Sequence, residues 1–221
     1  ISEDQTGFIP GRYIGDNIRL IYDLMYYLNK ENLPGLLLCI DFEKAFDTVD
    51  WEFMLKVLRA FGFRNSICNW IETFYKNIKA TVIVNGQASN WFTINRGCRQ
   101  GDPVSPYLFV LYAEILAHMI RQNSNITGIT VNQIEHKIAQ FADDTQSFQN
   151  GDQLSFEETI NALGKFGLIS GLNMNCEKTS VIWLGRERTS TKKYMPHLKM
   201  EWNPPKFKIL GIWLTSNLDC E

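Results

Sequence analysis

The chain has 221 residues, 45% of them hydrophobic, 13% aromatic and 21% charged, which is ordinary for a soluble globular protein with room for a substantial core. By length it is one large domain or two tightly joined subdomains, and it contains no run of 18 apolar residues that would predict a transmembrane helix. The net charge of −2 argues mildly against a domain whose whole surface grips a phosphate backbone, since such domains are usually basic.

Gly7, Pro10 and Gly11 predict an irregular opening loop. Ile14, Ile18, Ile21, Tyr22, Met25 and Leu28 then recur at helical spacing, predicting an amphipathic helix over 14–30 that Pro34-Gly35 breaks. Leu36-Leu37-Leu38-Cys39-Ile40 is apolar throughout, as a strand buried on both faces would be, and it stops abruptly at Asp41. Asp50 is placed to cap a helix carrying Trp51, Met54, Leu55, Leu58 and Phe61, which Gly62 ends. A further helix is expected from Asn65 through Ile67, Trp70, Ile71, Phe74 and Tyr75. Residues 80–84 read as a strand, Asn85-Gly86 as a hairpin turn, and 91–94 as the returning strand. After a Gly/Pro-rich stretch at 97–106, residues 107–121 predict a helix apolar nearly all round, hence buried. Strands follow at 129–131, 138–141 and 145–148, with Ala142-Asp143-Asp144 between the last two. A helix at 156–170 ends near Gly171, and strands at 180–184 and 207–214 flank a segment with Pro196, Pro204 and Pro205. Mixed elements without strict βαβ alternation predict an α+β fold, helices packed on an antiparallel-type sheet.

Five cysteines (Cys39, Cys68, Cys98, Cys176 and Cys220) are odd in number, widely spaced and free of CxxC pairs. They read as reduced thiols of an intracellular protein rather than a zinc or disulfide framework. The chain opens on Ile1 without a signal-peptide pattern, and pattern begins close to both ends, so we expect a segment cut from something longer. Charge is uneven: residues 177–208 hold eight bases against three acids, whereas residues 1–60 hold six bases against ten acids. The basic stretch fits either a solvated loop or a phosphate-facing surface. His118, His136 and His197 lack metal-ligand spacing and read as structural or surface residues.

Two places set acids where apolar strands end: Asp41, and the pair Asp143-Asp144. Each alone fits a polar turn. Side by side they would repel, and divalent cations with hard oxygen ligands would resolve the conflict while positioning a phosphoryl transfer.

The stretches QTGFIPGR (5–12), CIDFEKAFDTVDW (39–51), RGCRQGDPVSPYLF (96–109), FADD (141–144), GLNMNCEKTS (171–180) and FKILGIWL (207–214) resemble, in order and spacing, the successive motifs of LINE-type (non-LTR) retrotransposon reverse transcriptases. The resemblance covers roughly residues 4–215. It implies a right-hand polymerase with a palm and partial fingers: about 1–35 and 60–100 forming fingers and their palm connection, 36–59 and 100–185 the palm, and 205–216 a primer-grip-like hairpin, with thumb and endonuclease regions absent. It implies RNA-directed DNA polymerisation, a primer 3′-hydroxyl attacking the α-phosphate of a deoxynucleotide, with RNA template, DNA primer and dNTP as partners. Asp41, Asp143 and Asp144 would be catalytic carboxylates holding two Mg²⁺ ions, Mn²⁺ being a possible substitute. Lys178 would donate a proton to the leaving pyrophosphate. Phe42 and Phe46 would both belong to the nucleotide-binding site, Phe46 excluding a 2′-hydroxyl, although by composition Phe42 or Phe46 serves equally as core. Gln100 and Gly101 would support the nucleotide, Arg99 a phosphate, and Leu210 and Gly211 the primer. Nuclear work is implied by the family alone. The same acids leave open a group II intron or retron-type enzyme, a non-catalytic nucleic-acid-binding remnant, or another two-metal phosphoryl transferase.

Overall fold

A computed structural model describes residues 1–215. Cys220 and the last residue of the expected 205–216 hairpin lie outside the described residues. Helix α1 (Ile14–Lys30) buries Ile21, Leu24, Met25 and Leu28, one stripe at i, i+3, i+4 and i+7. It leads into strand β1 (Pro34–Ile40), the short helix α2 (Ala45–Thr48), and helices α3 (Trp51–Ala60) and α4 (Asn65–Tyr75). Asp50 caps α3 as expected, its carboxylate accepting from the Phe53 N–H at 2.8 Å. Four two-residue strands follow: β2 (Lys79–Ala80), β3 (Ile83–Val84), β4 (Gln87–Ala88) and β5 (Phe92–Thr93). Helix α5 (Ser105–Gln122) precedes β6 (Ile129–Val131), β7 (Ile134–His136), β8 (Ile138–Phe141) and β9 (Asp144–Gln149). Helix α6 (Gln153–Ser170), β10 (Ser180–Gly185), β11 (Glu201–Trp202), β12 (Phe207–Ile209) and β13 (Ile212–Leu214) complete the order.

Strand β1 lies at the centre of a five-stranded sheet ordered β11-β10-β1-β9-β8, antiparallel except between β10 and β11. Its unbroken apolar run is explained by two-sided burial. Leu36, Leu38 and Ile40 join the core formed with α3, α5 and α6, while Leu37 faces a second core with α1 and β12. The expected α+β class is therefore the observed one.

Two expected strands are broken. Residues 80–84 do not run continuously, because the Ser89 side chain and backbone take over the Thr81 hydroxyl and the Val82 N–H, splitting the ladder into β2–β5 and β3–β4. Residues 207–214 fold back on themselves: Leu210 (φ 50°) and Gly211 (φ 86°) form the two-residue turn between β12 and β13.

Candidate active site

The carboxylates meet because of strand register. β1 pairs with β9 so that Ile40 faces Thr145, and β8 pairs with β9 so that Phe141 faces Asp144 across the turn residues Ala142 and Asp143. Asp41, one residue past Ile40, therefore arrives beside the turn that carries Asp143 and Asp144. Its other side is fixed by the 175–179 turn: the Asp41 N–H donates to Thr179 Oγ1 at 3.3 Å, and the Asp41 carbonyl accepts from the Asn175 N–H at 2.8 Å. Lys178 belongs to that turn, and Asp41, Asp144 and Lys178 line one small cavity of about 100 Å³.

Burial pushes the Asp143 and Asp144 carboxyls above their ordinary values. The neighbouring Asp41 pushes Asp143 further, and Asp143 and then Asp41 push Asp144 further. None of the three carboxylates has an ion-pair partner among the described residues. This concentration of uncompensated hard oxygen donors suits a divalent cation. Among the described residues no group of three His, Cys, Asp or Glu side chains could hold a metal ion unaided, so substrate phosphate oxygens and water would have to complete any coordination sphere.

The remaining expected residues divide. Phe46, in α2, is half-buried and stacks on the buried Phe109 ring at 4.2 Å between centroids and 17° between planes. Phe42 is only 8% exposed and belongs to the core. Gln100 is tied to the α2 segment by a 3.2 Å hydrogen bond from its Nε2 to Asp47 Oδ1, and the 96–100 loop is anchored by Cys98 N–H to Phe46 O and Trp51 Nε1 to Gly97 O. Asp47, Arg96, Arg99 and Gln100 border a broader open cavity of about 750 Å³. Gly101 is exposed beyond it, with φ 85°. Arg99 already has protein partners: its guanidinium donates to the Phe74 carbonyl and lies 5.9 Å from the Tyr75 ring centroid. Leu210 and Gly211 form the tip of the β12–β13 hairpin, whose Phe207, Lys208 and Ile209 line the small cavity. Arg12, in the first of the resemblance stretches, is taken up by the carbonyls of Ile1, Ser2 and Gln5.

Lys208 and Gln146 were not singled out from the sequence, yet both line the cavity. Gln146 is 3% exposed and its Oε1 has no hydrogen-bond partner among the described residues. Only the alternation along β9 could have placed it at the site, and only once the register was known.

Residues 1–214 match the family model described as reverse transcriptase (RNA-dependent DNA polymerase). The chain is 27% identical over 220 residues to the transposon TX1 uncharacterized 149 kDa protein of Xenopus laevis, covering 98% of this chain and 16% of that protein. It is 28% identical over 177 residues to the retrovirus-related Pol polyprotein from type-2 retrotransposable element R2DM of Drosophila melanogaster, covering 79% of this chain and 16% of that protein. Telomerase from Candida tropicalis, solved in complex with a fragment of telomeric RNA, superposes with a TM-score of 0.65 at 11% identity, over 96% of this chain and 33% of the telomerase chain. That likeness concerns the fold.

Proposed function

This chain belongs to the family of reverse transcriptases, the RNA-dependent DNA polymerases, and on that footing we propose that it carries the nucleotidyl-transfer centre of a LINE-type retrotransposon enzyme. The observation that carries the reading is the meeting of Asp41 with Asp143-Asp144 at one end of the sheet, with no ion-pair partner among the described residues, and with Lys178 on the cavity that Asp41 and Asp144 line. Asp41 and Asp143 would be the direct ligands of Mg²⁺, with Asp144 beside them and Mn²⁺ an acceptable replacement. Two bound ions would activate the primer hydroxyl and stabilise charge on the departing oxygen. No helix among the described residues is long and apolar enough to cross a membrane.

The protein's own groups then position and exclude. Phe46, braced on Phe109, would stand under the nucleotide sugar and leave no room for a 2′-hydroxyl. Gln100, held by Asp47, would support the base pair being formed, with Gly101 permitting close approach of the backbone. Lys178, exposed at the cavity rim, would give its proton to pyrophosphate. The β12–β13 hairpin, through Leu210 and Gly211, would hold the primer end. In this reading residues 36–59 and 100–185 are palm, and 1–35 and 60–100 connect it to fingers.

The chain spans 16% of the length of each of the two relatives named above, so the template, primer and activity of the whole polypeptide are part of the proposal. Primer extension on RNA and DNA templates with Mg²⁺ or Mn²⁺, comparing the parent polypeptide with its Asp143→Ala variant, tests it. Metal-dependent synthesis abolished by the substitution is the expected result. Equal synthesis by both proteins, or salt-dependent nucleic-acid binding with no extension by either, refutes it.

A further inference from the structure

The QTGF stretch at 5–8 has no part in the chemistry above, yet its side chains reach the catalytic turn. Residues 4–6 lie along β8 as an added strand: Gln140 N–H donates to Asp4 O at 2.7 Å and Thr6 N–H to Gln140 O at 2.9 Å. This places Gln5, fully buried, under the β8–β9 turn. Its Oε1 accepts from the Ala142 N–H at 2.9 Å and from the Gly7 N–H at 2.8 Å, and its Nε2 lies 3.5 Å from the Ala142 carbonyl. Ala142 needs such support. It is a non-glycine residue at φ 55°, a left-handed conformation that persists only where surroundings impose it, and the next residue is Asp143. Gly7 completes the fit, because a Cβ there would stand 2.4 Å from the Ala142 nitrogen.

We propose that Gln5, seated by Gly7, is a positioning residue for Asp143: it clamps the Ala142 peptide in the strained conformation that aims the carboxylate toward Asp41. The proposal rests on the reading of Asp143 given above. A residue that orients a metal-binding side chain through one intermediary typically changes metal affinity or turnover by about 10- to 100-fold when removed. Simple closure of the sheet edge would change neither in a protein that still folds.

The test uses the parent polypeptide and its Gln5→Met variant, which preserves side-chain length and removes both the acceptor and the donor. Three readouts are taken: hydrogen exchange of the Ala142 amide without metal, Mn²⁺ affinity by direct titration without nucleic acid, and the kcat and KM of primer extension. We expect the Ala142 amide to be protected in the parent and to exchange at least tenfold faster in Gln5→Met. Mn²⁺ affinity and kcat should fall about 10- to 100-fold while the KM for dNTP stays within about twofold. Gly7→Ala, which attacks the same contact from the other side, should reproduce the pattern, and the double variant should lose little more than either single one. Should Gln5→Met not fold, Gly7→Ala is read by the same three measurements. An unprotected Ala142 amide in the parent, or a folded variant with parental Mn²⁺ affinity and kcat, overturns the proposal. An Asp143→Asn variant that binds Mn²⁺ and extends primers like the parent would instead refute the role of Asp143, and the clamp's role in catalysis with it.

Discussion

Phe46→Ala separates packing from selectivity at one position. The ring is half-buried and stacked on Phe109. Truncating a fully buried phenylalanine costs about 3–5 kcal/mol, so a ring buried on one side should cost about 2 kcal/mol, of which about 0.5–1.5 kcal/mol is the ring–ring contact. The variant should fold with a melting temperature lowered by about 4–8 °C. The effect on the sugar is larger in kinetic terms. Steric exclusion of one small group is worth about 1–3 kcal/mol, so removing the ring should raise the ratio of ribo- to deoxynucleotide kcat/KM by about 10- to 200-fold. Single-nucleotide extension on an RNA template with matched rNTP and dNTP measures that ratio. Phe42→Leu is the control: Phe42 is a core residue 8% exposed, and its variant should lose stability without a change in sugar preference. An unchanged ratio in folded Phe46→Ala, or an equal shift in Phe42→Leu, would refute the assignment.

Asp143→Asn should stabilise the metal-free protein by roughly 0.2–1 kcal/mol, because it removes a like charge from the Asp41–Asp144 neighbourhood, and it should abolish the metal-induced stabilisation, about 2.7 kcal/mol at 100 times the dissociation constant, that thermal melts of the parent should show. Since the folded Asp143 carboxyl titrates above its ordinary 3.8, the folded state holds that proton more tightly. Relative to Asp143→Asn, metal-free parent stability should therefore decline as pH rises from about 3.8 through the raised value, as urea titrations at a series of pH values would report. Tyr112→Phe removes a buried hydroxyl that donates to Ser170 O and accepts from the Asp50 N–H at 3.1 Å, and should lower unfolding free energy by about 1–2 kcal/mol in urea denaturation. Gly97→Ala must place a Cβ 2.7 Å from Asp47 O at φ 96°, so we expect a loss of about 1–3 kcal/mol by the same assay and a weaker Gln100 contact, seen as a raised KM for dNTP.

The elements most legible in the sequence were those whose signal is local. The LLLCI run announced a strand buried on both sides, Asp50 announced a helix start, and Asn85-Gly86 announced a turn. Where a side chain from elsewhere in the chain rewrote the backbone pairing, local pattern failed: Ser89 splits the expected 80–84 strand, and nothing in the alternation of β-branched residues signals that. Sequence spacing also gave no sign that the Arg12 and Arg99 guanidiniums donate to backbone carbonyls, of Ile1, Ser2 and Gln5 for the first and of Phe74 for the second. The convergence of Asp41 with Asp143-Asp144 was also invisible to spacing. It depends on a β1–β9 register bridging about a hundred residues, and only the resemblance to a family anticipated it.

The electrostatics of the site follow from which positive charges the fold commits elsewhere. Arg121 is bound to Asp4 and Glu114, each at 2.6 Å, and Arg12 to the carbonyls of Ile1, Ser2 and Gln5, so two arginines hold the segment that supports the β8–β9 turn. Lys178 and Lys208 border the cavity but form no ion pair with the carboxylates they face. The backbone segments that carry the acids are held by hydrogen bonds, Asp41 by Thr179 and Asn175 and the β8–β9 turn by Gln5. In the proposed reading, an acidic cluster with no ion-pair partner among the described residues would be costly in the bare protein and favourable for a cation that arrives with phosphate, since a bound ion would remove the repulsion without requiring the backbone to reorganise. A stability cost in the metal-free state and an affinity for metal-bound nucleotide would, in that reading, both follow from one register.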